Sequence, residues 1–177
     1  MSAEERRAQL LDVTKRMVLE RGFHAVSIEA VAREAGITRP IVYGHFEDLP
    51  GLLDALVERE SLRALEQLET VLPQPDLLEA LRGYLQVVRD DPDTWRLVLM
   101  PQEGAPRILH ERIARGREAI VARLAHGLPP SAGLPDPELS AHLLSAYADE
   151  SARLVLTGRY PPERILELSR WLLRRLG

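Results

Sequence analysis

The chain contains no cysteine, which excludes a disulfide framework, a thiolate metal site and a cysteine nucleophile. Aromatic residues make up only 5% of its 177 residues, and no apolar run approaches the roughly 18 residues that span a bilayer. The first residues, Met1–Arg7, do not begin a signal peptide. We therefore expect a cytoplasmic protein with no membrane anchor.

An excess of positive charge is also missing, because the formal net charge is −4. Residues 1–46 hold seven Lys and Arg against six Asp and Glu, so their net charge is 7 − 6 = +1. A hydrophobic content of 45% with 28% charged residues is that of a globular chain with one or two domains. Any affinity for nucleic acid must then come from individually placed contacts, since a diffuse basic field is lacking.

What the chain does contain is helical periodicity nearly throughout, with no strand-like alternation and no internal repeat. Proline and glycine divide it into about nine helices, which predicts an all-α fold. Loops are expected at Pro101–Pro106 and Leu128–Pro137, and Pro73 and Pro75 should interrupt the chain. The expected helices are 4–21, two short ones within 27–46, 49–72, 77–91, 93–100, 107–126, 137–157 and 161–176.

Residues 27–46 predict two short helices joined by a tight turn. Ser27 is a helix N-cap, and Gly36 stops that helix because glycine adopts the left-handed conformation at little cost. Thr38 is the next N-cap, with Arg39 and Pro40 in the first turn. The buried stripe is expected to comprise Ile28, Val31, Ala32, Ala35, Ile41, Val42 and Phe46.

The outer face of the second short helix is polar and aromatic. Arg39 can offer a fork to guanine or clamp a phosphate, while Tyr43 and His45 can donate to phosphate oxygens. Each has a structural alternative: a solvated charge for Arg39, partial core packing for Tyr43, and packing within the small domain for His45. The candidate DNA-binding residues are Ser27, Thr38, Arg39, Pro40, Tyr43 and His45.

Residues 6–56, above all the run from Gly22 to Phe46 that ends in Tyr-x-His-Phe, resemble the N-terminal domain of the tetracycline-repressor (TetR) family of bacterial transcription regulators. The resemblance implies a three-helix DNA-binding domain at 1–48 with a recognition helix at 39–46. It also implies a helical ligand-binding and dimerisation domain at 49–177, with 49–72 as the connecting helix. Pro40 and Leu49 depart from the family pattern, which has glycine and a phosphate-binding lysine there.

The first of the last two predicted helices is apolar nearly all round, and the second has an apolar stripe. Both surfaces must be covered by other parts of the protein. A two-fold dimer through a four-helix bundle would cover them and matches how the family dimerises. The alternative is that both helices complete the core of the monomer. The candidate interface residues are Ala141, Leu144, Ser145, Ala148, Ala152, Leu156, Ile165, Leu168, Trp171 and Leu172.

An apolar cavity among the middle helices is the effector site that the resemblance implies. Tyr84, Trp95 and Tyr147 are the strongest candidates because each carries a polar atom that requires a partner when buried. Ordinary core packing is the alternative for every one of them. The candidate lining is Tyr84, Val88, Trp95, Leu99, Met100, Ile113, Leu143, Tyr147 and Glu150.

Asp149 and Glu150 interrupt an otherwise apolar helix, where an unpaired carboxylate is costly. One interpretation is an internal ion pair with Arg153, which lies three or four residues away. The alternative is that one carboxylate faces the cavity and selects a cationic or hydroxylated effector.

No enzyme signature is complete. His110-Glu111 begins like a zinc-binding H-E-x-x-H helix, but Ala114 stands where the second histidine would be, and we expect neither a metal nor a cofactor. The resemblance to the TetR family implies a ligand-responsive regulator, a repressor, that binds a near-palindromic operator as a homodimer and is released by a small, largely apolar effector. The alternative function is a helix-turn-helix protein that no longer reads DNA and acts by protein contact.

Overall fold

The computed structural model describes residues 2–72, 74, 76–100, 104–127 and 136–176. Nine α-helices and one 3₁₀-helix form the regular structure of these residues, with no strand among them. The all-α class is therefore confirmed. The α-helices are α1 (Ala3–Arg21), α2 (Ile28–Glu34), α3 (Arg39–His45), α4 (Leu49–Glu69), α5 (Leu77–Asp90), α6 (Pro92–Leu99), α7 (Arg107–Gly127), α8 (Pro137–Leu156) and α9 (Pro162–Leu176).

The chain forms two compact units. The first comprises Met1–Leu62 and Pro101–Ile113, and the second comprises Arg63–Met100 and Ala114–Gly177. This division describes packing, and the functional boundary expected after residue 48 stays a prediction. Over the described residues, no helix is both long enough and apolar enough to cross a bilayer.

Capping interactions fix both ends of α1 in the first unit. The Ser2 hydroxyl accepts from the Glu5 amide at 3.1 Å, and the Glu5 carboxylate accepts from the Ser2 amide at 2.6 Å. Gly22 ends the helix at φ 84°, a conformation that disfavours residues with a Cβ. The 3₁₀-helix Phe23–Ala25 follows and leads to α2. The face of α1 predicted to be buried is buried: Leu10, Leu11, Val13, Thr14, Met17 and Val18.

The turn between α2 and α3 has the geometry expected for a helix-turn-helix. The Ser27 hydroxyl accepts from the Ala30 amide at 3.1 Å and caps α2. Gly36, at φ 66°, ends it in a Schellman motif, in which the Ile37 amide donates to the Ala32 carbonyl at 2.9 Å. Among the described elements of this unit, α1, α2 and α3 pack against one another.

A buried charged cluster joins α1 to α4 within the first unit. The Glu60 side chain is 1% exposed and accepts from Lys15 Nζ at 2.6 Å. Arg59 binds the same carboxylate through Nη2 at 2.8 Å and reaches Asp12 at 2.8 Å. An unpaired carboxylate in such a place would be strongly disfavoured, so the contacts with Lys15 and Arg59 compensate for the burial of Glu60.

The second unit is built around one apolar cluster to which α4, α5, α6, α8 and α9 all contribute. Asp76 caps α5 through hydrogen bonds from the Leu78 and Glu79 amides at 2.8 and 3.0 Å. Helix α5 packs against both α8 and α9, which places it at the centre of the unit. The buried cluster consists of Ala64, Leu68, Leu81, Tyr84, Leu85, Val88, Trp95, Leu99, Ala152, Leu156, Ile165 and Leu166.

Most expected helix ends agree with the structure to within a residue or two. Helix α4 is the exception: it ends at Glu69 rather than Leu72, and the Thr70 hydroxyl donates to the Gln67 carbonyl at 2.7 Å just beyond it. The expected breaks at Pro73 and Pro75 lie outside the described residues. The same holds for 101–103 and 128–135 in the two expected loops.

Candidate nucleic-acid interface and effector region

Helix α3 separates buried from exposed side chains. Val42 is fully buried and Phe46 is 4% exposed, whereas Tyr43 is 49% exposed and the Arg39 side chain is 63% exposed. Two buried apolar side chains therefore anchor the helix to its unit, while Arg39 and Tyr43 are exposed to solvent. Ile41 was expected in the buried stripe and this is wrong, because its side chain is 42% exposed.

Helix α2 contributes to the same outer surface. Arg39 Nη1 donates to Glu29 Oε1 at 3.2 Å, and both side chains are more than half exposed. The Glu29 carboxylate lowers the positive electrostatic potential around Arg39, and it also restrains the Arg39 guanidinium. Residues from both helices line one shallow depression: Glu29, Ala32, Arg33, Ile37, Thr38, Arg39, Pro40 and Tyr43.

The remaining predicted DNA-binding residues occupy structural positions. Thr38 stands at the N-cap of α3 in extended conformation, but its hydroxyl makes no capping hydrogen bond. Ser27 is half-buried and its hydroxyl is used in capping α2. Pro40 is exposed in the first turn of α3, where its missing N–H leaves no helical bond unmade. Their contacts with DNA stay predictions.

The C-terminal end of α3 is held by a residue that the sequence did not identify. Arg7 Nη1 donates to the His45 carbonyl at 2.9 Å, and its guanidinium lies 4.4 Å from the centre of the Phe46 ring. A cation at a helix C-terminus is favourable because carbonyl dipoles converge there. His45 itself is half-buried. Arg7 and His45 are 38 residues apart in the chain, so no local pattern connects them.

In the second unit, four of the residues predicted to line the effector site lie together. Tyr84, Val88, Trp95 and Leu99 all belong to the apolar cluster. The Tyr84 and Trp95 rings meet edge to face, with centroids 5.2 Å apart and an interplanar angle of 79°. These side chains therefore fill the centre of the cluster by packing on one another.

The polar atoms of these aromatic residues have partners. The Tyr84 hydroxyl donates to Asp149 Oδ1 at 3.1 Å, and Trp95 Nε1 donates to Gln67 Oε1 at 2.7 Å. Burial, followed by the negative charge of Asp149, raises the pKa of the Tyr84 hydroxyl well above its usual value of 10.0. Tyr84 therefore stays protonated and keeps donating its hydrogen bond.

The two carboxylates of α8 have different environments. Asp149, whose side chain is 15% exposed, accepts from Arg117 Nη2 at 2.6 Å and from Arg117 Nε at 3.0 Å. Glu150, which is 61% exposed, pairs with Arg153 at 3.2 Å. The expected ion pair with Arg153 is found for Glu150, whereas the partner of Asp149 is an arginine 32 residues away.

The structure places the two faces of α8 the other way round from the prediction. Leu143, assigned to the effector lining, is 63% exposed, and Tyr147 is 37% exposed with its hydroxyl 2.7 Å from Ser169 Oγ. The face assigned to the dimer is instead covered within the chain. The interface candidates that are buried in this way are Ala141, Ser145, Ala152, Leu156 and Ile165.

The other candidates divide between the surface and intermediate positions. Leu168 and Trp171 on α9 are 52% and 49% exposed, and their place in a dimer interface stays a prediction. Met100, just after α6, is 37% exposed. Ile113 is half-buried but belongs to the first unit, so the structure does not group it with Tyr84. The half-buried interface candidates are Leu144, Ala148 and Leu172.

The incomplete zinc motif is a surface feature. His110 and Glu111 are both exposed, and Glu111 pairs with Arg107 at 3.0 Å. Within the part of the chain that the structure describes, no group of three or more His, Cys, Asp or Glu side chains is placed to hold a metal ion.

Comparison with known proteins supports the assignment made from the helix-turn-helix. Residues 10–56 match the family model for "Bacterial regulatory proteins, tetR family". A TetR-like transcriptional regulator from Rhodococcus sp. RHA1 is 27% identical, with a TM-score of 0.75 over 92% of this chain and 90% of that chain.

Two further solved structures share the fold. A transcriptional regulator from Pseudomonas aeruginosa PAO1 is 19% identical, with a TM-score of 0.77 over 99% of this chain and 92% of its own. The transcriptional regulator FadR from Bacillus subtilis, in complex with stearoyl-CoA, is 17% identical, with a TM-score of 0.67 over 91% and 96%. Residues 10–56 therefore belong to the TetR family of bacterial regulatory proteins, and the chain as a whole shares the fold of TetR-like transcriptional regulators.

Proposed function

We propose that this chain is a ligand-responsive repressor that binds a near-palindromic operator as a two-fold dimer and is released by a small effector. The observation that carries the proposal is the division of α3 into an anchored face and an exposed face that presents Arg39 and Tyr43. In this proposal residues 1–48 bind DNA, and residues 49–177 bind the effector and dimerise. Such a regulator acts in the cytoplasm, where its operator is.

The DNA contacts follow from the chemistry of the exposed face. Arg39 is suited to guanine in the major groove or to a phosphate, and Tyr43 is suited to a phosphate oxygen. Thr38 and Pro40 border the same depression and would approach the backbone. Since residues 1–46 carry a net charge of only +1, these contacts must supply most of the affinity.

The dimer is supported by an apolar face that the single chain leaves open. Leu139, Leu143 and Tyr147 project from α8, and Leu168 and Trp171 project from α9, each at least 37% exposed. These positions recur at helical spacing on the side of each helix away from the core. We therefore assign the interface to them, and the buried small residues of α8 are left out. In the proposed dimer the two recognition helices would have to enter successive major grooves, whose centres lie about 34–36 Å apart.

The effector is proposed to act on the apolar cluster around Tyr84 and Trp95. The cluster is predominantly hydrophobic, with its polar atoms already paired, which favours a largely apolar ligand. The related fold of FadR, a regulator in complex with stearoyl-CoA, is consistent with an apolar effector. Since these rings pack on one another, the ligand must favour a conformation in which they separate, and that conformation must bind the operator less well.

A helix-turn-helix protein that acts by protein contact is the second candidate. The near-neutral charge of residues 1–46 favours it, as does Leu49 at the position of the family's phosphate-binding lysine. A chain of this second kind would lack the salt-dependent affinity for random duplex that a DNA-reading protein shows.

The deciding experiment is selection of duplex DNA from a random library by the purified protein. The Arg39→Ala/Tyr43→Ala variant is run beside it, and Arg96→Ala/Tyr160→Ala serves as the matched control. The control removes an exposed arginine and an exposed tyrosine from the second unit. We expect the intact protein and the control to enrich the same near-palindromic site. Since a good base contact contributes about 1–3 kcal/mol, the first variant should lose at least about 10-fold in affinity.

A failure of the intact protein to enrich any sequence would overturn the DNA-binding proposal and favour the protein-contact alternative. Equal enrichment by the Arg39→Ala/Tyr43→Ala variant would show that another surface reads DNA. Once a site is known, candidate effectors can be screened by the loss of operator binding that they cause.

A further inference from the structure

We propose that a cleft between α5 and α9 is a second ligand site, for a small molecule with a carboxylate or phosphate head and an apolar body. The cleft lies entirely within the second unit and has a volume of about 330 Å³. Pockets for small molecules usually measure about 300–1,000 Å³, so this one suits a compact ligand and not a polymer. The site is separate from the aromatic pair of Tyr84 and Trp95.

The wall formed by α5 is basic. Arg82, Gln86 and Arg89 line it and follow each other at intervals of four and three residues, which places them on one helical face. The Arg82 guanidinium pairs with Glu79 at 3.3 Å, but Glu79 is not among the lining residues. Both arginine side chains are about half exposed. Arg82 and Arg89 can therefore turn to bind an anion at little cost in free energy, because the exposed ion pairs that they would lose are weak.

The wall formed by α9 contains charges of both signs. Arg170 lines it beside Glu163 and Glu167, so the three arginines and two glutamates of the cleft sum to 3 − 2 = +1. Glu163 approaches Arg89 only to 3.7 Å, which is beyond hydrogen-bonding distance. A carboxylate or phosphate could accept paired N–H groups from these guanidinium groups, a geometry that arginine favours. The two glutamates oppose an extended polyanion, which limits the ligand to one compact anionic head.

The floor of the cleft is apolar. Leu85 and Leu166 line it and are 1% and 7% exposed. Both belong to the buried cluster that also contains Tyr84. An alkyl or aromatic body would therefore cover the outer side of that cluster while its head meets the arginines.

The apolar floor of the cleft lies away from the proposed dimer face. Leu168 and Trp171 follow Leu166 by two and five residues, which at about 100° per residue places them on a different side of α9, and only Glu167, four residues before Trp171, borders that face. The proposal also does not depend on DNA binding. Ligand binding at the cleft can therefore succeed or fail independently of the proposed function.

The test is a titration of the intact protein followed by two-dimensional amide NMR. Octyl phosphate and octanoate are the probes, inorganic phosphate is the head alone, and octanol is the neutral body. We expect saturable shifts for both anionic probes at amides of residues 82–89 and 162–170, and weak or absent shifts for phosphate and octanol. Similar affinities for octanoate and octyl phosphate would show that either head serves, and a difference would identify the preferred one.

Two pairs of variants examine the charge arrangement. Arg82→Gln/Arg170→Gln should weaken octyl phosphate binding at least about 5-fold, whereas Arg96→Gln/Arg115→Gln, which removes two exposed arginines outside the cleft, should leave it unchanged. Glu163→Gln/Glu167→Gln should tighten it roughly 2- to 10-fold, because two repulsive charges are removed. A gain of affinity cannot arise from misfolding.

Three results would overturn the proposal. The first is the absence of saturable shifts for either anionic probe. The second is equal binding of octanol, which would reveal a hydrophobic crevice only. The third is equal weakening by both arginine variants, which would reveal attraction by net charge only.

Discussion

The sequence pattern predicts which side chains are buried in α3, but it does not do so in α8. In α3 the polar and aromatic positions are outside and Val42 is inside, as the sequence predicts, with Ile41 as the exception. In α8 the small residues are inside, while Leu139 and Leu143 are more than half exposed. In a helix with one polar face, the sequence determines the orientation, because only one orientation buries the apolar side. A helix that is apolar nearly all round can face either way.

The orientation of α8 is set by size. Helix α5 packs against α8, and Ala141 and Ala152 are fully buried, so small side chains allow the two helices to approach closely. The larger leucines then project outward. If that outer face is the dimer interface, substitutions on the two faces of α8 should have different effects.

The largest expected effect concerns the outer face of α8. Leu143→Glu should dissociate the dimer, because burial of a leucine is worth about 1.5–3 kcal/mol and two-fold symmetry counts it twice. The dissociation constant should rise at least about 100-fold. Leu62→Glu replaces a leucine that is 54% exposed in the first unit and is the matched control. Sedimentation over a range of concentrations would measure the effect, and a dimer that survives Leu143→Glu would refute the assigned interface.

The next effect concerns the inner face of the same helix. Ala152→Leu should lower the free energy of unfolding by about 1–3 kcal/mol, because added methylenes must be fitted into a packed core. Ala119→Leu, at an exposed position of α7 outside the proposed dimer face, should change it by less than about 0.5 kcal/mol. Thermal unfolding at one fixed protein concentration would compare them. Equal tolerance of both substitutions would mean that the two faces of α8 have been assigned wrongly.

A third prediction uses Tyr84, whose hydroxyl binds Asp149 of α8. Its pKa is raised above 10.0 by burial and then by the Asp149 charge. Above pH 10 the unfolded chain loses this proton and the folded chain keeps it, so stability is full below pH 10 and falls as the pH rises towards the folded pKa.

Tyr84→Phe should remove that component of the alkaline loss, whereas Tyr160→Phe, which changes a tyrosine that is 39% exposed, should retain it. Denaturant unfolding between pH 8 and pH 11 would give the two slopes. Identical slopes would show that the Tyr84 hydroxyl is not buried beside Asp149 as described.

The smallest expected effect concerns the ion pair between Glu29 of α2 and Arg39 of α3. Glu29→Gln should tighten operator binding by roughly 1.4- to 5-fold, because an exposed ion pair is worth about 0.2–1 kcal/mol and its loss frees Arg39. Glu34→Gln removes the same charge from α2 at a residue that pairs with Arg21 instead. Titration of the selected operator at low salt would compare the two variants. An equal gain in both would assign the effect to net charge alone.

Features determined by neighbouring residues were predictable from the sequence. The caps at Ser27, Gly36 and Asp76 follow from side chains and backbone conformations within three residues of one another. The same is true of the buried stripe of α1. These local signals were sufficient to identify the helix-turn-helix and the number of helices.

Features that depend on distant residues were not predictable. Arg7 reaches the end of α3 and Arg117 reaches Asp149 across 38 and 32 residues. No periodicity in one helix specifies which residue of another helix lies opposite a given side chain. The aromatic pair of Tyr84 and Trp95 was assigned as cavity lining, and its mutual packing likewise depends on how α5 meets α6.

The charged cluster of Lys15, Arg59 and Glu60 limits how this protein could be recombined with its relatives. Removing one partner of a buried ion pair costs about 3–5 kcal/mol, although the intact pair adds little net stability. A chimaera that takes α1 from one regulator and α4 from another would leave the Glu60 carboxylate, which is 1% exposed, without Lys15. The two helices should therefore be exchanged only as a pair, even though the 27 residues that separate them, 22–48, include the loops where a cut would otherwise be made.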